Sequence, residues 1–275
     1  MSKKKGGCLR TILFMVVVYN VLRVLIALFS GNDGTEDYIF VEAACEEFLL
    51  EDAQTLNREH QREWNIPREA LSFCMGYPTL ESVSRAEAEK RADVDRRIRR
   101  TNFWGDIYRQ LVDQTGNELD YLVDSLLNVA STYQYGNLDL ARLTVSFVQD
   151  IPYSFVIHTD CNSYNTNGKP CLGKIPYGII SPYEFLHTLH GDCDTRAVLL
   201  FILLQKMGFD PMIVVSDEYA HAMLALNIPA QGDYLKYEGK KYYFWETTAV
   251  GWSIGMLPPD TNNIDYWKIA LVNES

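Results

Sequence analysis

Hydrophobic and polar positions change rhythm three times along the chain. Ile12 to Phe29 is apolar except for Tyr19, Asn20 and Arg23. As a helix rising ~1.5 Å per residue, this stretch covers nearly the ~30 Å hydrocarbon core of a bilayer. From Asp37 to about Ala141 apolar positions recur at helical spacing: Phe40, Ala43, Ala44, Phe48 and Leu49, then Tyr108, Leu111 and Val112, then Leu122, Leu126, Leu127 and Ala130, and a last stripe from Leu138 to Val148. Ala197 to Leu204 is apolar on every side, which predicts a fully buried helix starting near Cys193 and ending at Gly208. Behind it, Met212–Val215, Tyr219–Leu226 and Lys241–Trp245 read as strands. The pattern predicts an α+β chain: a buried helix against an antiparallel sheet, preceded by helices and an N-terminal transmembrane helix.

Three segments follow. Residues 1–35 are a cytoplasmic tip, anchor and short polar linker, 36–132 a helical segment, and 133–275 the core. Within the second, Glu87 to Arg100 mixes acids with Arg91, Arg96, Arg97, Arg99 and Arg100 and reads as a solvated helix with intrahelical pairs. Asp160 to Lys174 is rich in Asn, Gly and Thr and reads as a surface loop.

Lys3, Lys4, Lys5 and Arg10 flank the apolar stretch on its N-terminal side, so the positive-inside rule keeps Met1 in the cytoplasm and sends the body across, to the periplasm or cell surface. A cleaved signal peptide is the rival reading, and Ala27-Leu28-Phe29-Ser30 lacks the small-x-small cleavage pattern. Asn20 and Arg23 share a helix face; they either reach the headgroups or meet a second membrane helix. The 275-residue chain has a net charge of −11, and because its first thirty residues hold five basic groups and no acid, the remainder carries −16. So acidic a body argues against nucleic acid as a partner. Six cysteines are too few for a disulfide-built scaffold, and with 47% apolar residues the core comes from hydrophobic burial. Cys161 and Cys171 bracket the polar loop and form a disulfide if the body lies outside the cytoplasm. Cys45 and Cys74 fall in apolar surroundings and read as core residues.

Candidate chemistry concentrates after residue 176. Gly191 and Asp192 place Cys193 on the first turn of the buried helix, where unpaired amides and the helix dipole favour a thiolate. His221 lies on the second strand, on the face of Met223 and Ala225, and Glu246 ends the third. Nucleophile, base and orienting carboxylate on successive elements make a workable Cys-His-acid arrangement.

Gly191-Asp192-Cys193 followed by Asp194-Thr195-Arg196-Ala197, then His221-Ala222, then Trp245-Glu246-Thr247-Thr248 resembles the transglutaminase-like family of papain-like cysteine domains, of the bacterial membrane-anchored type. Phe147-Val148-Gln149-Asp150-Ile151-Pro152-Tyr153 looks like the helix end that precedes the catalytic helix in that family, so the resemblance spans about Leu138 to Pro259. It implies Cys193 as nucleophile, His221 as general base and acid, and Glu246 where the family usually has Asp. The substitution of Glu is a departure, since its extra methylene sets the strand slightly farther back. The implied activity is hydrolysis or transfer of amide bonds, peptide or isopeptide, in a protein or peptide substrate through a thioester, with no cofactor. Gln149 is either a second oxyanion donor or a buried amide tying a loop. Arg196 pairs with Asp192, with Asp194 or with an acidic substrate. His187, His190 and Cys193 recur at every third position, but the break at Gly191 separates them and no metal site is expected. The competing class is a catalytically silent transglutaminase-like scaffold subunit of a membrane complex.

Overall fold

The structure, a computed structural model, describes residues 39–40, 58–66, 71–94 and 102–274. The apolar stretch at Ile12–Phe29, with Asn20 and Arg23, and Cys45 lie outside the described residues. No described helix is long and apolar enough to cross a membrane. Phe40–Ser275 form one compact unit, so the helical segment and the core belong to a single body.

Among the described residues the architecture is α+β, with six helices and a five-strand antiparallel sheet curved into a half-barrel. After the two-residue strand Ile39–Phe40 comes a long hairpin, β1 (Arg58–Ile66) and β2 (Leu71–Thr79). Four helices follow: α1 (Glu81–Ala92), α2 (Phe103–Gln114), α3 (Asp120–Thr132) and α4 (Asn137–Gln149). The short parallel strands β3 (Phe155–Val156) and β4 (Cys171–Leu172) frame the polar loop, and Cys161 is disulfide-bonded to Cys171. Then come α5 (Pro182–Thr188), α6 (Cys193–Lys206), β5 (Pro211–Ser216), β6 (His221–Leu226), β7 (Tyr234–Tyr237), β8 (Lys240–Trp245) and β9 (Lys268–Val272). The sheet runs β9-β5-β6-β8-β7.

Strand alternation divides the sheet residues into two apolar sets. Ile213, Leu224, Leu226, Tyr243 and Trp245 join the main core with α6, whose Ala197–Leu204 run is buried all round. Met212, Val214, Met223, Ala225, Tyr242 and Phe244 make a second layer closed by Leu257 and Trp267. The aromatic run 242–245 is therefore part of the core.

The 36–132 segment is not wholly helical, because the β1–β2 hairpin lies in it. In β1 the alternation that matters hides among charges: Arg62 and Trp64 point inward, Arg62 onto Asp150 at 2.8 Å and Trp64 Nε1 onto Ser146 Oγ at 3.1 Å. Of the Glu87–Arg100 run expected to be a solvated helix, Arg96, Arg97, Arg99 and Arg100 lie outside the described residues, and the part on α1 departs from that pattern. Lys90 and Glu87 pair within the helix, but Arg91 reaches across to Glu184 of α5 in a buried bidentate bridge at 2.8 and 3.0 Å. Glu184 also closes a capping box with Ser181, so it anchors α1 and starts α5 at once. Cys74 is buried, as expected of a core residue, and it is disulfide-bonded.

Helix α2 packs unusually close to the sheet. A Cβ on Gly105 would stand 2.0 Å from the carbonyl oxygen of Ala270, at the register shift of β9, so only glycine permits this approach. Asn102 Nδ2 donates to the same carbonyl at 3.1 Å. This docking brings Trp104 and Tyr108 to the start of α6.

Candidate active site

Gly191 and Asp192 set up the position of Cys193. A Cβ at Gly191 would stand 2.7 Å from the Phe185 ring, so glycine lets the chain turn tightly beneath α5. Asp192 is the N-cap of α6, accepting from Thr195 N at 3.2 Å and Thr195 Oγ1 at 2.9 Å. Cys193 thus sits on the first turn, as expected, and is the free cysteine among the described residues.

His221 begins β6 opposite Ser216, and Glu246 follows β8 directly. His221 Nε2 and Glu246 Oε2 are 2.8 Å apart. The other carboxylate oxygen, Oε1, accepts from Thr247 N and Thr248 N, both at 2.8 Å, and from Thr248 Oγ1 at 2.6 Å. Burial pushes the Glu246 carboxyl up, but the bonds from His221 and Thr248 outweigh it and hold the group at about 2. The carboxylate is therefore ionised near neutral pH and can only accept, so Nε2 carries the proton and a neutral ring keeps its lone pair on Nδ1. The ring leans edge-on against Trp267, with centroids 5.9 Å apart.

The sulfur's environment departs from the expected thiolate site. The Ala222 backbone amide, next to His221, favours ionisation of the sulfur. Burial and the carboxylates of Asp194 and Asp192 act more strongly in the other direction and push the thiol well above its ordinary range. No hydrogen bond joins Sγ to the His221 ring among the described residues; the thiol instead donates to Asp194 Oδ2 at 3.7 Å. Asp194 Oδ1 accepts from Tyr108 Oη. Burial pushes the carboxyl groups of Asp192 and Asp194 upward as well.

Two supporting residues have structural roles. Both bonds made by Gln149 Nε2 go to backbone carbonyls, to Glu246 at 2.6 Å and to Trp252 at 3.0 Å, so this amide ties the Glu246 turn to α4 rather than presenting a free oxyanion donor. Arg196 is fully buried but has no carboxylate within ion-pair distance among the described residues, in contrast to the expected pairing with Asp192 or Asp194. It donates to the carbonyls of Ile151 at 2.6 Å, Val148 at 2.7 Å, Pro152 at 2.9 Å and Gly191 at 3.3 Å. Burial pulls its guanidinium down to about 10.

The histidines considered for metal are dispersed. His187 is held between Thr79 Oγ1 and Glu81 Oε2, both at 2.9 Å, and His190 bonds Ser154 Oγ at 2.8 Å. Among the described residues no cluster of three or more metal-ligating side chains occurs.

A cavity of about 250 Å³ opens beside His221, lined by Asp194, Trp104, Val215, Ser216, Asp217 and Ala220. Trp104, Tyr108 and Asp194 are the site residues that sequence reasoning missed. Asp194 stands inside the quoted Cys193 motif, but Tyr108 shows only helical packing periodicity.

Comparisons with family models, with curated proteins and with solved structures return no match for this chain.

Proposed function

We propose that Cys193, His221 and Glu246 carry out cysteine-dependent acyl transfer on amide bonds of a protein or peptide, in a transglutaminase-like, papain-like core. The reading rests on the His221–Glu246 pair, which fixes the tautomer with Nδ1 as the base, beside a free Cys193 on the first turn of α6. The disposition of α6 against an antiparallel sheet supports the same core. In the reaction the Cys193 proton passes to Nδ1 and sulfur attacks the carbonyl carbon. The C–N bond then breaks as the imidazolium returns the proton to the leaving amine, which leaves a thioester. Water resolves it to an acid, or a second amine to a new amide. The Cys161–Cys171 disulfide and the oxidised Cys74 support an extracytoplasmic body held by the N-terminal anchor.

A silent scaffold is the second reading, favoured by the buried, protonated thiol. p-Nitrophenyl acetate separates the two. Expected is a burst of p-nitrophenolate with the acetyl group on Cys193 by peptide mapping, reduced at least tenfold in His221→Ala. Acetylation of Cys193 that ignores His221, or none, favours the scaffold.

A further inference from the structure

Resting on that reading, we infer that Asp194 is a positioning residue that latches the nucleophile off: it accepts the Cys193 S–H and is itself held by Tyr108, so the thiol points away from the imidazole until the latch is broken. Three observations meet here. The thiol's hydrogen bond goes to Asp194 Oδ2 and not to His221. The other oxygen is fixed by a phenol that belongs to α2 and is wholly buried. The carboxylate also lines the cavity beside His221, where an incoming group reaches both Asp194 and the imidazole. An ordinary helix-start cysteine gains from its position, but here the residue that follows it places a carboxyl acceptor beside the sulfur, which opposes ionisation of the thiol.

The latch works by geometry and charge together. While S–H donates to Asp194, the proton is directed away from Nδ1 and the sulfur lone pairs have no oriented base. When a substrate amide enters the cavity and offers Asp194 a donor, the S–H bond to the carboxylate exchanges for one to Nδ1. The proton then moves from sulfur to nitrogen, and Asp194 takes no proton in the step. Around this pair stand Asp192 and Arg196 from the α6 turn, Tyr108 from α2, Tyr153 after α4, His221 of β6 and Glu246 after β8. None of these six is hydrogen-bonded to the sulfur among the described residues, whereas Asp194 is.

Asp194→Asn tests the inference. The amide keeps an oxygen for Tyr108 and turns the atom facing sulfur from acceptor to donor. Iodoacetamide alkylation of the intact protein, read at Cys193 by peptide mapping across pH, is expected to show its midpoint fall by about one unit, with about tenfold faster labelling at pH 7.5. Asp194→Glu, which keeps the charge, is expected to leave the midpoint high. Thermal melting monitors folding in each variant. An unmoved midpoint in folded Asp194→Asn overturns the latch, as does a thiol unreactive in both proteins below their melting points, since burial alone would then withhold it. Alkylation needs no turnover, so a protein that lacks acyl transfer can still show the shift, and an active one can still fail to show it.

Discussion

At the scale of single residues, the site is decided by where each carboxylate places its negative charge. Glu246 stabilises the folded state through four donors, and its group sits at about 2 against an ordinary 4.5. A carboxyl depressed in the fold contributes its full stabilisation above the ordinary value and loses it as pH falls from there through the folded value. Glu246→Gln should therefore lower stability by on the order of 1–3 kcal/mol at pH 6. In urea unfolding across a pH series, the gap to wild type should shrink between pH 4.5 and 3. A gap independent of pH would mean that the carboxylate is not held by charged hydrogen bonds. Asp192 and Asp194 have the opposite sense, because burial makes their ionisation unfavourable. The chain thus sets one acid to hold the imidazole and two to restrain the sulfur.

At the scale of elements, close approach matters more than propensity. Gly105 is where α2 presses on the Ala270 carbonyl, and an added methyl has no space. Gly105→Ala should cost about 1–3 kcal/mol by overpacking. It should also loosen the Tyr108 contact, read as a fall in melting temperature together with faster alkylation of Cys193. An unchanged melting temperature would show that the helix can shift freely. The candidates Cys193 and Glu246 were legible in the sequence because glycine or an apolar run marks an element boundary beside each, and His221 because it lies on a readable strand. The Tyr108–Asp194 contact was not, since the partners are 86 residues apart and only the docking of α2 joins them. The β1–β2 hairpin escaped for a related reason: inward Arg62 alternates with outward acids, and its inward character depends on Asp150, far along the chain. Strands β7 and β9 are short and become strands through neighbours, not through their own periodicity.

At the scale of the whole molecule, Arg196 joins parts that would otherwise meet only by packing. Its guanidinium collects carbonyls from the end of α4, from the chain that leaves it and from the turn before α6. Arg196→Met would leave those acceptors buried without donors, at a cost of about 3 kcal/mol or more. Denaturant unfolding should show that loss, and peptide mapping after limited proteolysis should show new cleavage near residues 150–152. Retained stability would assign the fold to apolar contacts alone. The participation of α2 has one practical result. A trimmed version beginning at residue 133 would discard the phenol that grips Asp194 and strip the cover from α6 and β9, so the smallest piece worth expressing must reach back past Arg58.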